Sequence, residues 1–162
     1  MLPAIEGIHG RPAVWHYAPK EHALERRTEL TEEAWKGIVG ALPQGSLLVG
    51  LASIHWREAW KYGERAFRYC HHDVGHALGA MRIAAAANGW RLTMLDGCGD
   101  EHVEGLMGVG RLDAGAAERE EPDLLAVVTP GGARPISFAV SAPSGLAWAG
   151  TPNVLSEHHE HE

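Results

Sequence analysis

Two histidines four residues apart, His72 and His76, bracket the run His72-Asp-Val-Gly-His76. On a helix this spacing puts both imidazoles on one face, close to the His-Glu-x-x-His arrangement that holds zinc and supplies a general base. Glu101, His102 or Glu104 could furnish a third ligand, which would make the chain a zinc-dependent hydrolase. The acid here is Asp rather than Glu, and histidines at this spacing also occur without metal. A second constellation lies just upstream, where Lys61 and Tyr62 are adjacent titratable groups at a helix entrance. They could move a proton to or from a substrate if burial lowered the lysine pKa. Left in solvent, the same pair is a hydrated ammonium beside a packed ring. A third feature is Asp96-Gly97-Cys98-Gly99, whose glycines let the main chain approach a ligand closely. An ordinary strand-to-helix turn, capped by Asp100, accounts for the same glycines. Arg65 and Arg68 could meet a phosphate, but their three-residue spacing beside Glu64 suits ion pairs on a helix surface.

Read together, Lys61-Tyr62-Gly63, Arg65, Arg68-Tyr69, Asp73-Val-Gly-His76 and the Ala85 to Gly89 helix end resemble the SagB-type, or azoline oxidase, branch of the nitroreductase-like flavoprotein family. The resemblance continues through Asp96-Gly-Cys-Gly-Asp-Glu-His-Val103 and Leu106-Met-Gly-Val109. It implies an α+β nitroreductase-like fold, with a long central buried helix, a mixed sheet and FMN held where two subunits or two fused halves meet. Asp96, Gly97 and Cys98 would then lie against the flavin ring. Lys61 and Tyr62 would manage the proton of a two-electron hydride transfer between flavin N5 and an organic substrate. A peptide azoline, a nitro compound and a small heterocycle all suit that chemistry. The family's Arg/Ser phosphate motif near the start of the domain and its basic residue near the end are not visible in this sequence. The alternative is therefore a flavoprotein-fold docking half of a larger enzyme, without flavin of its own.

These residues need elements to position them. Ala13 to Tyr17 is aromatic and β-branched, and with His22 to Glu25 it predicts two short strands. Thr31 before Glu32-Glu33 starts a helix that should run to about Leu42 and stop at Pro43. Ser46 to Ile54 is a nearly continuous apolar run and predicts the central strand, buried on both faces. From Glu64 to Asn88, Phe67, Cys70, Val74, Leu78, Met81 and Ala85 recur at helical steps, predicting one long helix that forms the buried axis of the fold. Trp90 to Leu95 reads as a strand, Asp100 as the N-cap of a short helix over Glu101 to Met107, Arg111 to Pro122 as an exposed loop and Leu124 to Thr129 as a further buried strand.

The chain has 162 residues, 45% hydrophobic and 22% charged, which suits one domain with a proper core and argues against disorder. We expect a nitroreductase-like domain over residues 1–153, a segment of a longer chain, followed by an acidic, histidine-bearing tail over 154–162. A net charge of −7 without a basic stripe argues against nucleic acid. The most apolar stretch, Ala77 to Ala87, is too short to span a bilayer and contains Arg82, so no membrane partner is expected. Cys70 and Cys98, without paired spacing, point to a reducing cytoplasm. The partnerless apolar residues near the C-terminal end, with the small-residue helix face, predict a homodimer or a second half.

Overall fold

The computed structural model describes residues 1–110, 119–132 and 142–151, and within them the chain is a small α+β fold. Strands β1 (Ala13–Ala18) and β2 (Ala23–Glu29) form an antiparallel hairpin. Helix α1 (Glu32–Val39) follows, and its first turn shows why it starts there: Thr31 is extended and its Oγ1 accepts a hydrogen bond from the Ala34 N–H at 3.1 Å. Glu32 and Glu33 then sit against the positive end of the helix, while Trp35 and Ile38 are buried beneath it. Thr31→Ala is expected to cost about 1 kcal/mol in urea unfolding, the usual scale for a lost N-cap; an unchanged midpoint would show that the cap does not hold α1.

The main sheet contains β3 (Leu47–Ser53), β4 (Arg91–Met94) and β5 (Glu121–Thr129), in the order β3-β5-β4. Both pairings are antiparallel, as is the hairpin, so the mixed sheet expected from the sequence is not found among the described residues. The centre is β5, and the Ser46 to Ile54 run supplies the edge strand β3 instead. An apolar run reports burial but not the number of hydrogen-bonded neighbours, and β5 has one on each side. The expected exposed loop ends earlier than predicted, because Glu121 and Pro122 already belong to β5; residues 111–118 of it lie outside the described residues, as does the 154–162 tail.

Alternation along the strands builds two cores. Leu48, Leu125 and Val127 face a cluster of Met1, Val14, Leu30, Trp35, Ile38, Val103 and Leu106, the last two from helix α4 (Asp100–Met107). Leu92, Leu124, Ala126 and Val128 face the other way, onto helix α3 (Ala66–Ala87), through Val74, Leu78, Met81 and Ala85. The sheet is thus sandwiched between α3 on one side and α1, α4 and the chain start on the other.

Helix α3 is continuous, as the spacing predicts, but it is not a buried axis. Only Ala66, Cys70 and Ala85 are buried, and the side away from the sheet is bare. Phe67 is 61% and Ile83 74% exposed. The apolar residues at three- and four-residue steps cover one stripe, and the sheet offers that stripe one surface. Alanines on the remaining faces favour helix formation without requiring burial.

Two local readings also change. His55–Tyr62 forms helix α2, which the sequence reading passed over; Gly63, at φ +56°, ends it, and a 3-10 turn over Gly63–Arg65 leads into α3. That φ suits glycine, which has no Cβ to clash. Asp100 is the first residue of α4 rather than its cap, since extended Gly99 precedes the helix and no side chain caps it. No helix among the described residues is long and apolar enough to cross a membrane.

Candidate functional site

Lys61 and Tyr62 close the last turn of α2, on the surface. The Lys61 ammonium lies 4.9 Å from the centre of the Tyr62 ring, and that ring lies 4.7 Å from the ring of Tyr69 on α3. Hydrogen bonding to Tyr62, followed by the phenolate's charge, raises the lysine pKa from its ordinary value. Proton abstraction by lysine needs the opposite shift, which burial would bring, and here Lys61 is exposed. In the single chain, then, Lys61 is an exposed, protonated cation beside an aromatic pair.

Asp96, Gly97 and Cys98 follow β4. Asp96 and Gly97 form an exposed turn, and Cys98 is half-buried against the core on the α1 and α4 side of the sheet, next to Leu95. Helix α2 packs on α3, so the structure places Lys61 and Tyr62 with the other layer and does not bring the two groups together. A Cβ built on Gly97 meets no atom within 4 Å. Nothing among the described residues therefore makes glycine necessary there. A hollow of about 520 Å³ at the start of α1 is bordered by Arg11, Leu30, Thr31, Glu29, Glu32 and Glu33, and its excess of carboxylates would repel a flavin phosphate. The described residues of one chain therefore do not form a flavin cradle.

His72 and His76 stand on the solvent side of α3; Nδ1 of His76 is 3.8 Å from Oδ1 of Asp73, one turn earlier. Glu101, His102 and Glu104, which could have completed a metal site, are on α4 across the sheet. Among the described residues no three His, Cys, Asp or Glu side chains converge as metal ligands.

A different constellation does converge, and the sequence reading missed it. Asp123 is the odd residue of a β-bulge: Leu51 pairs with Leu124 and Ala52 with Pro122, leaving Asp123 opposite no residue. Regular alternation would point it with Leu125 into the apolar core around Trp35; the bulge turns it toward α3 instead. Its carboxylate, only 3% exposed, accepts a hydrogen bond from Ser53 Oγ at 2.6 Å and lies 4.0 Å from Nδ1 of His71. The His71 ring meets Phe67 edge-on at 4.3 Å, and the His55 ring lies 6.1 Å from it. Nε2 of His55 is buried with no hydrogen-bond partner. Beneath them Cys70 is buried, and burial, then the charges of Glu58, Asp123 and Asp73, push its thiol pKa up, so it keeps its proton. Ser53, His55, His71 and Asp123 come from β3, α2, α3 and β5. The sequence signal was an acidic residue directly before the apolar run Leu124 to Val128.

Comparison with family models, with curated proteins and with solved structures finds no match to this chain.

Proposed function

We propose that the chain is one half of a nitroreductase-like, FMN-dependent oxidoreductase of the SagB type, working in the reducing cytoplasm, with its flavin held only where a second copy docks. The observation that carries this reading is the bare outer side of α3. His72, then the neighbours Gly75 and His76, then Gly79, Ile83 and Ala86 lie there, each three or four residues from a residue of the group before it, all exposed. A Cβ at Gly75 or Gly79 would meet no atom within 4 Å. Two glycines within a helix cost roughly 1 kcal/mol each relative to alanine, and the described residues give no reason for them. Close approach of another backbone does. A helix pairing antiparallel with its own copy about Gly79 would set each Ile83 over the partner's Gly75, a large side chain over a gap, as a self-complementary two-fold contact requires.

Cysteines 70 and 98 are both free, which supports the reducing compartment. The substrate class is an organic molecule able to exchange two electrons, a peptide azoline or a nitro compound. The test combines light scattering with titration of FMN followed by its visible spectrum. The expected result is a dimer that takes up FMN, and an Ile83→Arg variant that is monomeric, keeps the unfolding midpoint of the dilute chain and no longer binds flavin. A monomer at high concentration overturns the reading. A dimer that takes up no FMN would leave the docking half, the alternative that the open space at Gly97 favours, and remove the oxidoreductase.

A further inference from the structure

We propose that His71 is a proton-transfer residue, positioned by Asp123 and Ser53, that acts on a planar ring laid against Phe67. The inference does not depend on the flavin reading, since every group in it belongs to one chain. It begins with the β-bulge. An aspartate carboxylate taken out of water is costly unless paired, and a bulge that turns it away from the apolar core and onto a histidine is the kind of local irregularity that re-aims a functional side chain. Ser53 holds one carboxylate oxygen and leaves the other facing Nδ1 of His71. A carboxylate facing Nδ1 favours the tautomer with the proton on that nitrogen, which leaves the lone pair on Nε2.

The His71 side chain is 47% exposed while the Asp123 carboxylate beside Nδ1 is 3% exposed, so a reactant reaches the imidazole and not its partner. The exposed Phe67 ring, edge to face with the imidazole, offers a flat apolar surface beside it. In the step proposed, Nε2 accepts a proton from an acidic O–H, N–H or C–H of the ring-bearing substrate. The resulting imidazolium is held next to the Asp123 carboxylate, and Nε2 then returns the proton to product or water, so no charge or electron is left over. Cys70, kept as a thiol by burial and its acidic neighbours, takes no part.

The experiment uses diethyl pyrocarbonate near pH 8, well above the ordinary imidazole pKa, so that the nucleophilicity of the ring and not its neutral fraction sets the rate, with modified peptides read by mass spectrometry. The reagent is attacked by a neutral ring nitrogen, which gains an ethoxycarbonyl group and releases ethyl carbonate. His76 is the internal reference: its side chain is 85% exposed and its Nδ1 faces an Asp73 carboxylate that is itself 81% exposed, so the comparison reads the effect of a buried carboxylate against a solvated one. Exposure alone would make His76 the faster of the two. The proposal expects His71 to react at least about threefold faster, and Asp123→Asn to bring it down to the His76 rate. 2-Naphthol, a planar acidic ring, should slow modification of His71 in the native chain and have no effect in Phe67→Ala. If His71 in the unaltered protein reacts no faster than His76, it is a locked ion-pair partner and the proposal fails, whether or not Asp123→Asn folds. If naphthol protects equally in Phe67→Ala, the assigned ring surface is wrong and the proposal fails in that part.

Discussion

Leu106→Ala is expected to destabilise the isolated chain by about 2–5 kcal/mol, whereas Ile83→Ala should change its stability by less than about 0.5 kcal/mol. Both residues are large and aliphatic, and both lie in helices. Leu106 on α4 is completely buried, in the core shared with Leu48, Leu125 and Val127, so its truncation leaves a cavity against a sheet that cannot collapse into it. Ile83 on α3 is 74% exposed and loses little on truncation. Domains of this size are stable by roughly 5–15 kcal/mol, so the first change removes a large fraction of the total. Urea unfolding in dilute solution, where α3 is not covered by a partner, measures both. Equal losses would show that the outer side of α3 is packed within the single chain.

For the 162-residue chain with a free Met1 amine, stability should also fall as pH drops from 8 to 5, through that amine. The Met1 amine is buried, donates to the Leu48 carbonyl at 2.7 Å, and has its pKa pushed down by burial from 8.0 to about 5. Above pH 8 the amine is neutral in both states and nothing is lost. Between 8 and 5 the unfolded chain takes up a proton that the folded chain refuses, so each step downward favours unfolding. The loss approaches its full value, on the order of 4 kcal/mol for a shift of this size, as the pH falls through about 5. The difference in unfolding free energy between the native chain and its Nα-acetylated form isolates this from the carboxylates and histidines. It should change steadily across that interval; a constant difference would mean that the amine is solvated when folded.

Much of the local structure was legible in the residues. Thr31 with Glu32 and Glu33 announced α1, the period of Cys70, Val74, Leu78, Met81 and Ala85 announced α3, and the apolar runs announced β3 and the core of β5. These signals depend on a residue and its near neighbours, so they survive without knowledge of the rest. The α2 helix was hidden because its residues are charged and aromatic with none fully buried, and its eight residues are shorter than the stretch over which a helical period stands out.

What lies across the chain could not be read this way. Whether α3 is covered on one side or all round depends on how many layers the fold supplies, and a stripe of side chains carries no count of layers. Which strand is central depends on hydrogen-bond partners on both sides, and hydrophobicity records burial without naming a neighbour. The same limit applies to the candidate site. Lys61 with Tyr62 and His72 with His76 stand out because they are close in sequence, yet each pair sits on the surface. Ser53, His71 and Asp123 are separated by long stretches of chain and meet because β5 pairs with β3 and bulges at Asp123. The sequence by itself determined the elements, through interactions within a few residues. The tertiary structure decided which side chains share a buried charge, because only the strand register and its single irregularity carry Asp123 from the core face of the sheet to the face where His71 waits.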